Sequence, residues 1–178
     1  MKISDRLIAI TDLETTGFDS VRQEIIEIGL VLVNQQTLEI KDFLDVKVQP
    51  EHLETADPES LKFNGYNAAD WQNASTIKAA MLLYSAKTRD AIFCAYNIVF
   101  DWPFILEAFK KTGVDILFDP YHRFDLPSMV WGKLQNSGLE RLKMDKVAEY
   151  FGIPEEPKPH QAFTGAMMAY EIYKRLVS

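Results

Sequence analysis

Cysteine is almost missing from this sequence. Cys94 is the only one among 178 residues, so no disulfide can form within the chain. Its surroundings, AIFCAY over Ala91–Tyr96, are apolar and predict a buried, inert thiol rather than a nucleophile. Positive charge is also scarce. Nineteen Lys and Arg stand against 26 Asp and Glu, a formal charge of −7, which excludes a protein that coats long duplexes through a broad basic face. A short nucleic-acid end beside bound metal ions is not excluded, because such ions invert the local potential. Long apolar runs are lacking, the longest being strand-length, and the amino terminus has no signal-peptide core. Both predict a cytoplasmic protein with no membrane contact. Repeats, low-complexity tracts and interdomain linkers are absent too, so one domain over residues 1–178 is expected.

What is present suffices for a core, since 47% of the residues are hydrophobic. Strands are predicted at the apolar start of Leu7–Gly17, at Ile25–Val33 and at Ile40–Val48, with short polar links that suit an antiparallel meander. Asp57-Pro58 opens a short helix over Glu59–Phe63, and Ala74–Thr88 reads as a longer one. A buried strand at Ala91–Tyr96 is followed by a helix that Asp101 opens and Thr112-Gly113 closes. Helices over Ser128–Gln135, Met144–Phe151 and Gln161–Leu176 complete the pattern. This order predicts an α/β domain with a mixed sheet, its first three strands antiparallel, flanked by helices.

Three stretches carry the chemistry. In LIAITDLETTG the apolar strand runs straight into Asp12 and Glu14. Residues i and i+2 of a strand share a face, so the two acids sit side by side, and like charges that close call for a hard divalent cation such as Mg²⁺ or Mn²⁺. Ordinary strand-end acids in water are the bland alternative. Thr15 and Thr16 are expected to bring hydroxyls to the same rim, and Gly17 releases the chain into a turn. The second stretch, AYNIVFDWPFIL, places Asp101 just past a strand end, where α/β folds open ligand crevices; an N-cap duty explains it equally well. The third, PHQAFTGAMMAY, sets His160 directly before a helix whose stripe of Ala162, Gly165, Ala166, Ala169 and Tyr173 should face the sheet.

In this order and spacing DLETTG, YNIVFDWPFIL and HQAFTGA resemble the motifs of the DEDD superfamily of 3′–5′ exonucleases, in its histidine-containing branch (proofreading subunits, RNase T and relatives). The likeness runs from Leu7 to about Leu176. It implies a ribonuclease-H-like fold. It also implies two Mg²⁺ or Mn²⁺ ions held by Asp12, Glu14 and Asp101, with His160 as general base, and release of nucleoside 5′-monophosphates from the 3′ end of DNA or RNA. Thr15, Thr16, Gly17, Phe18 and Asn97 would border the substrate. Phe18 would stack on a base, or else anchor its loop in the core. Partners implied are single-stranded or 3′-end nucleic acid and, in parts of the family, a second copy or a polymerase.

The third motif departs from the family. Its pattern has Asp five residues after the histidine, and here that residue is Gly165. One ion would then be weakly held or missing. Three readings follow: a degenerate exonuclease that binds nucleic acid or a protein without cutting; an active enzyme in which Glu171, Asp119 or a water replaces the lost oxygen; or a glycine introduced in cloning by a one-base change. Tyr96 also stands where many relatives have His, and Asp125 falls where they carry an acid opening a helix.

Overall fold

The computed structural model describes residues 2–178. Strands β1 (Leu7–Thr15), β2 (Ile25–Asn34) and β3 (Ile40–Lys47) form the expected antiparallel meander, and β4 (Ile92–Ala95) and β5 (Arg123–Asp125) add parallel strands on the other side of β1. The order across the sheet is β3-β2-β1-β4-β5, which puts β1 in the middle. β5 has no counterpart in the sequence reading. At three residues it is too short to show periodicity, and only its pairing with β4 makes it a strand.

Each sheet face is buried under helices. Ala9 and Leu13 of β1 meet α3 (Ile77–Lys87) and α4 (Ile98–Thr112), whereas Ile8 and Ile10 point the other way to α5 (Leu126–Leu134), α6 (Met144–Tyr150) and α7 (Ala162–Val177). Burying Ile8 and Ile10 completely contributes about 1.5–3 kcal/mol each. Even-numbered β1 residues therefore face α7, and Asp12 and Glu14 fall on that side. Cys94 lies in the same core, where burial pushes its thiol pKa up and keeps it protonated, as its apolar neighbours predict.

Two short helices, α1 (Pro58–Phe63) and α2 (Ala68–Trp71), bridge from β3 to α3. Asp57 caps α1 by accepting from the Ser60 amide at 3.2 Å, as the Asp-Pro pair foretells. α3 starts three residues later than its pattern suggests, because Ser75 is held by backbone bonds to Lys47 and Gln49 and Thr76 becomes the cap.

The start of α4 needs the larger correction. The sequence makes Asp101 its N-cap, but the helix begins at Ile98 and Asp101 lies within its first turn. Asn97 turns the chain in a left-handed conformation (φ 72°), and the Ile98 amide donates to Asp125 Oδ1 at 3.1 Å. A distant carboxylate caps this helix, so Asp101 is free for another task. Gly113, with φ 67°, ends α4 where expected.

Candidate active site

β1 carries Asp12, Leu13 and Glu14 past the end of its pairing with β4 while still paired to β2, with a register shift between Glu14 and Thr15. Across the ladder Asp12 pairs with Gly29, and Glu14 pairs with Glu27. Glu27 is thus a further buried acid of this face, one that the sequence reading passes over as an interruption in an apolar strand. Its Oε2 accepts from the Ala162 amide at 3.1 Å, so β2 supplies the cap that Gln161 does not give α7. Lys47 Nζ lies 3.8 Å from its other oxygen. Gly29 allows this docking, since a Cβ there would run into the Ala162 carbonyl.

α7 descends onto the sheet with Ala162, Gly165, Ala166, Ala169 and Tyr173 all buried, the stripe that the sequence predicts. Gly165 lands directly over Asp12. A Cβ at residue 165 would overlap the Asp12 carboxylate, which fills the room a side chain would need. From the other side α4 brings Asp101, whose side chain is buried and whose Oδ1 has no hydrogen-bond partner among the described residues.

Electrostatics bind these acids into one site. Burial, then the charges of Asp101, Glu14, Glu156 and Glu27, holds the Asp12 pKa well above the carboxylate range. Burial, then Glu27 and Glu156, pushes Glu14 up to about 8. Burial raises Asp101 strongly, against the opposing hydrogen bonding of its own backbone and that of Leu13. A buried carboxylate oxygen with no donor, among acids that repel one another, is the chemistry a divalent cation satisfies. Donor oxygens of Asp12, Glu14 and Asp101 are not drawn into a ready-made cage. Among the described residues, the three donors within 4.8 Å of one another are Glu24, Glu51 and His52. That trio has a structural cause: Glu24 Oε2 accepts from the Glu51 and His52 amides at 2.9 and 2.8 Å and so ties the segment after β3 to the start of β2.

His160 stands at the rim just before α7. Its ring stacks on Phe63 with centroids 4.4 Å apart and planes 11° from parallel, and its Nδ1 is 3.0 Å from Glu156 Oε2. That leaves Nε2 as the nitrogen without a protein partner among these contacts.

Other expected site residues fare differently. Thr15 and Thr16 are buried, and their hydroxyls turn inward, Thr15 Oγ1 donating to the Gly17 carbonyl at 2.6 Å and Thr16 Oγ1 accepting from the Glu24 amide at 2.9 Å. They shape the loop and offer no hydroxyl at the rim, because each is buried and engaged with a backbone group. Phe18 is 80% exposed and meets only the edge of Phe100, so it is no core anchor. Asn97 is exposed, and its side chain makes no cap bond. Asp125 is occupied in capping α4 and α5, the latter through the Ser128 amide at 3.0 Å. Tyr96 donates its hydroxyl to the Leu142 carbonyl at 2.9 Å and fastens the segment before α6.

Neither protein carboxylate offered as a replacement for residue 165 is in place. Glu171 is paired with Arg175 at 2.8 Å and Lys174 at 3.2 Å. Asp119 is paired with Arg6 at 3.2 Å, and its backbone joins Ala91 at the opposite end of β4 from the acids.

This geometry agrees with what the chain is similar to. A family model described as exonuclease, of the RNase T type, matches residues 9–173. Ribonuclease T of Haemophilus influenzae is 30% identical over 134 residues, covering 67% of this chain and 58% of that protein. The PolC-type DNA polymerase III of Caldanaerobacter subterraneus is 26% identical over 171 residues, 94% of this chain but 11% of the polymerase. The chain thus spans little more than half of one relative and about a tenth of the other. Among solved structures, E. coli exonuclease I in complex with a dT13 oligonucleotide superposes with a TM-score of 0.79 at 15% identity, over 96% of this chain and 40% of that one. At that identity the likeness is one of fold, the ribonuclease-H-like fold that the motif resemblance implies. With acids from β1 and α4 gathered under the start of α7, and a family model matching nearly end to end, this chain belongs to the RNase T exonuclease family.

Proposed function

We propose that this chain is a divalent-cation-dependent 3′–5′ exonuclease domain that removes nucleoside 5′-monophosphates from single-stranded 3′ ends. The observation that carries the reading is the buried, unpartnered Oδ1 of Asp101 beside Asp12 and Glu14. Three converging carboxylates with raised pKa values are costly to the fold unless a cation joins them. Asp12, Glu14 and Asp101 would hold Mg²⁺ or Mn²⁺, which supplies charge stabilisation at the phosphodiester being cut. His160 would take the proton of the attacking water at Nε2, its Nδ1 being committed to Glu156. Phe18, exposed on the loop after β1, would stack on the terminal base. The −7 charge favours short or single-stranded ends over long duplex.

Gly165 favours a second reading, a domain of the same fold that binds nucleic acid or protein without cutting. The similarity to a segment of a PolC-type polymerase supports a polymerase as one partner for either reading, and a second copy of the chain is the other. Incubating single-stranded DNA and RNA oligonucleotides in turn with Mn²⁺ and following monophosphate release separates the two. The exonuclease reading expects release that Asp12→Ala and Asp101→Asn abolish; release no greater than these variants give leaves the binding reading.

A further inference from the structure

One acid near the site is neither a proposed cation ligand nor a proposed proton carrier. Glu156 sits in the proline-rich loop before α7, its side chain 8% exposed. Both of its oxygens are engaged: Oε2 lies 3.0 Å from His160 Nδ1, and Oε1 accepts from the Thr164 hydroxyl at 2.5 Å. Thr164 is the residue before Gly165, on the first turn of α7, and its Oγ1 also lies 2.8 Å from the Gln161 carbonyl, a second acceptor for the same hydroxyl proton. The far side of the imidazole is covered by the Phe63 ring.

We propose that Glu156 is the positioning residue for His160, and that this site keeps its working histidine through Glu156 where residue 165 brings no carboxylate. The proposal rests on the reading of His160 as the general base. A neutral imidazole that donates from Nδ1 to a carboxylate has its lone pair on Nε2, and the same bond fixes the ring's orientation. Thr164 denies Glu156 the freedom to swing away, so the alignment is built on the first turn of the helix. Phe63 supplies the flat wall against which the ring settles. Side chains from α1, the loop and α7 thus converge on one imidazole, more constraint than an incidental loop histidine receives. Asp12 takes the space that a residue-165 side chain would fill, and at the head of α7 the loop's Glu156 joins Glu27 of β2 as a second acid.

The test uses the full chain labelled with ¹⁵N, which contains only three histidines. Long-range ¹H–¹⁵N spectra near pH 9 report the tautomer of each neutral ring. In the wild type His160 is expected as the Nδ1–H form. In Glu156→Ala it should become a mixture of both forms, while His52 and His122 stay unchanged. Turnover with Mn²⁺ should fall about 10–100-fold, with KM within twofold. Glu156→Gln keeps an acceptor in place, and it should retain the Nδ1–H form and recover part of the rate. An unaltered His160 tautomer in Glu156→Ala, or a rate within twofold of wild type, overturns the proposal. His160→Ala tells the two failures apart: full activity in that variant removes the base on which the proposal rests, whereas its inactivity beside a fully active Glu156→Ala removes the proposal alone.

Discussion

Burial, and then two neighbouring acids, raise the pKa of Glu14, and that has a consequence for stability. Its pKa stands at about 8 in the folded chain against an ordinary 4.5, first through burial and then through Glu27 and Glu156. A raised carboxylate gives its full stabilisation below the unfolded pKa and loses it as pH climbs through the folded value. The metal-free protein should therefore melt at steadily lower temperature between about pH 5 and pH 8. Glu14→Gln, which cannot ionise, should match the wild type near pH 4 and exceed it at pH 9 by about 2–8 °C, for roughly 1–2 kcal/mol in a chain of this size. Equal melting curves at pH 9 would mean that Glu14 is not strained. Gly165 makes a second prediction at this scale. Because Asp12 fills the room above it, Gly165→Asp should lower the metal-free melting temperature yet enlarge the rise produced by Mn²⁺. A variant whose Mn²⁺ response equals that of the wild type would show that residue 165 lies outside the cation's reach. Asp12 and Glu14 were legible from sequence because strand alternation alone puts them together. Glu27 was not, since its nearness to Glu14 depends on which residues of two strands face each other.

At the scale of elements, the site is assembled by how closely α7 approaches β2. Gly29 has no side chain to hold the helix off, and Glu27 takes the first free amide of α7. Gly29→Ala should force the α7 start outward, since the obstacle is backbone rather than a flexible side chain. The expected cost in urea unfolding is about 1–3 kcal/mol, with nuclease activity falling alongside because Gly165 and His160 move with the helix. Unfolding and activity both as in the wild type would show that the close approach is dispensable. The stripe of small residues on α7 was readable as a sheet-facing surface, but no local pattern says which strand residue lies beneath which turn. The start of α4 carries the same lesson. Asp101 matched the local profile of an N-cap, and the actual cap came from Asp125, 27 residues along the chain.

For the whole molecule, charge and substrate have to be reconciled. A formal −7 leaves little long-range attraction for a polyanion, so in the proposed exonuclease binding would come from the proposed cation site and from stacking at a few exposed aromatics such as Phe18. The affinity for a short oligonucleotide, measured with Mn²⁺ present, should then depend only weakly on salt, with a log–log slope no steeper than about −2. A steep slope would point to a basic track along the surface that composition does not suggest.

Hydrophobic periodicity, strand alternation and residue type act over a few neighbouring positions, and they were enough to specify the meander, the helical half and the three motif stretches. Asp12 and Glu14 share a face because successive strand residues point to opposite sides, whatever the rest of the chain does. What the fold alone decided were relations between distant parts of the sequence: Glu27 opposite Glu14, Asp12 beneath Gly165, and Asp101 freed from capping. Those depend on register and on the docking distance of a helix, which are set by packing of the whole core and leave no mark in any one segment.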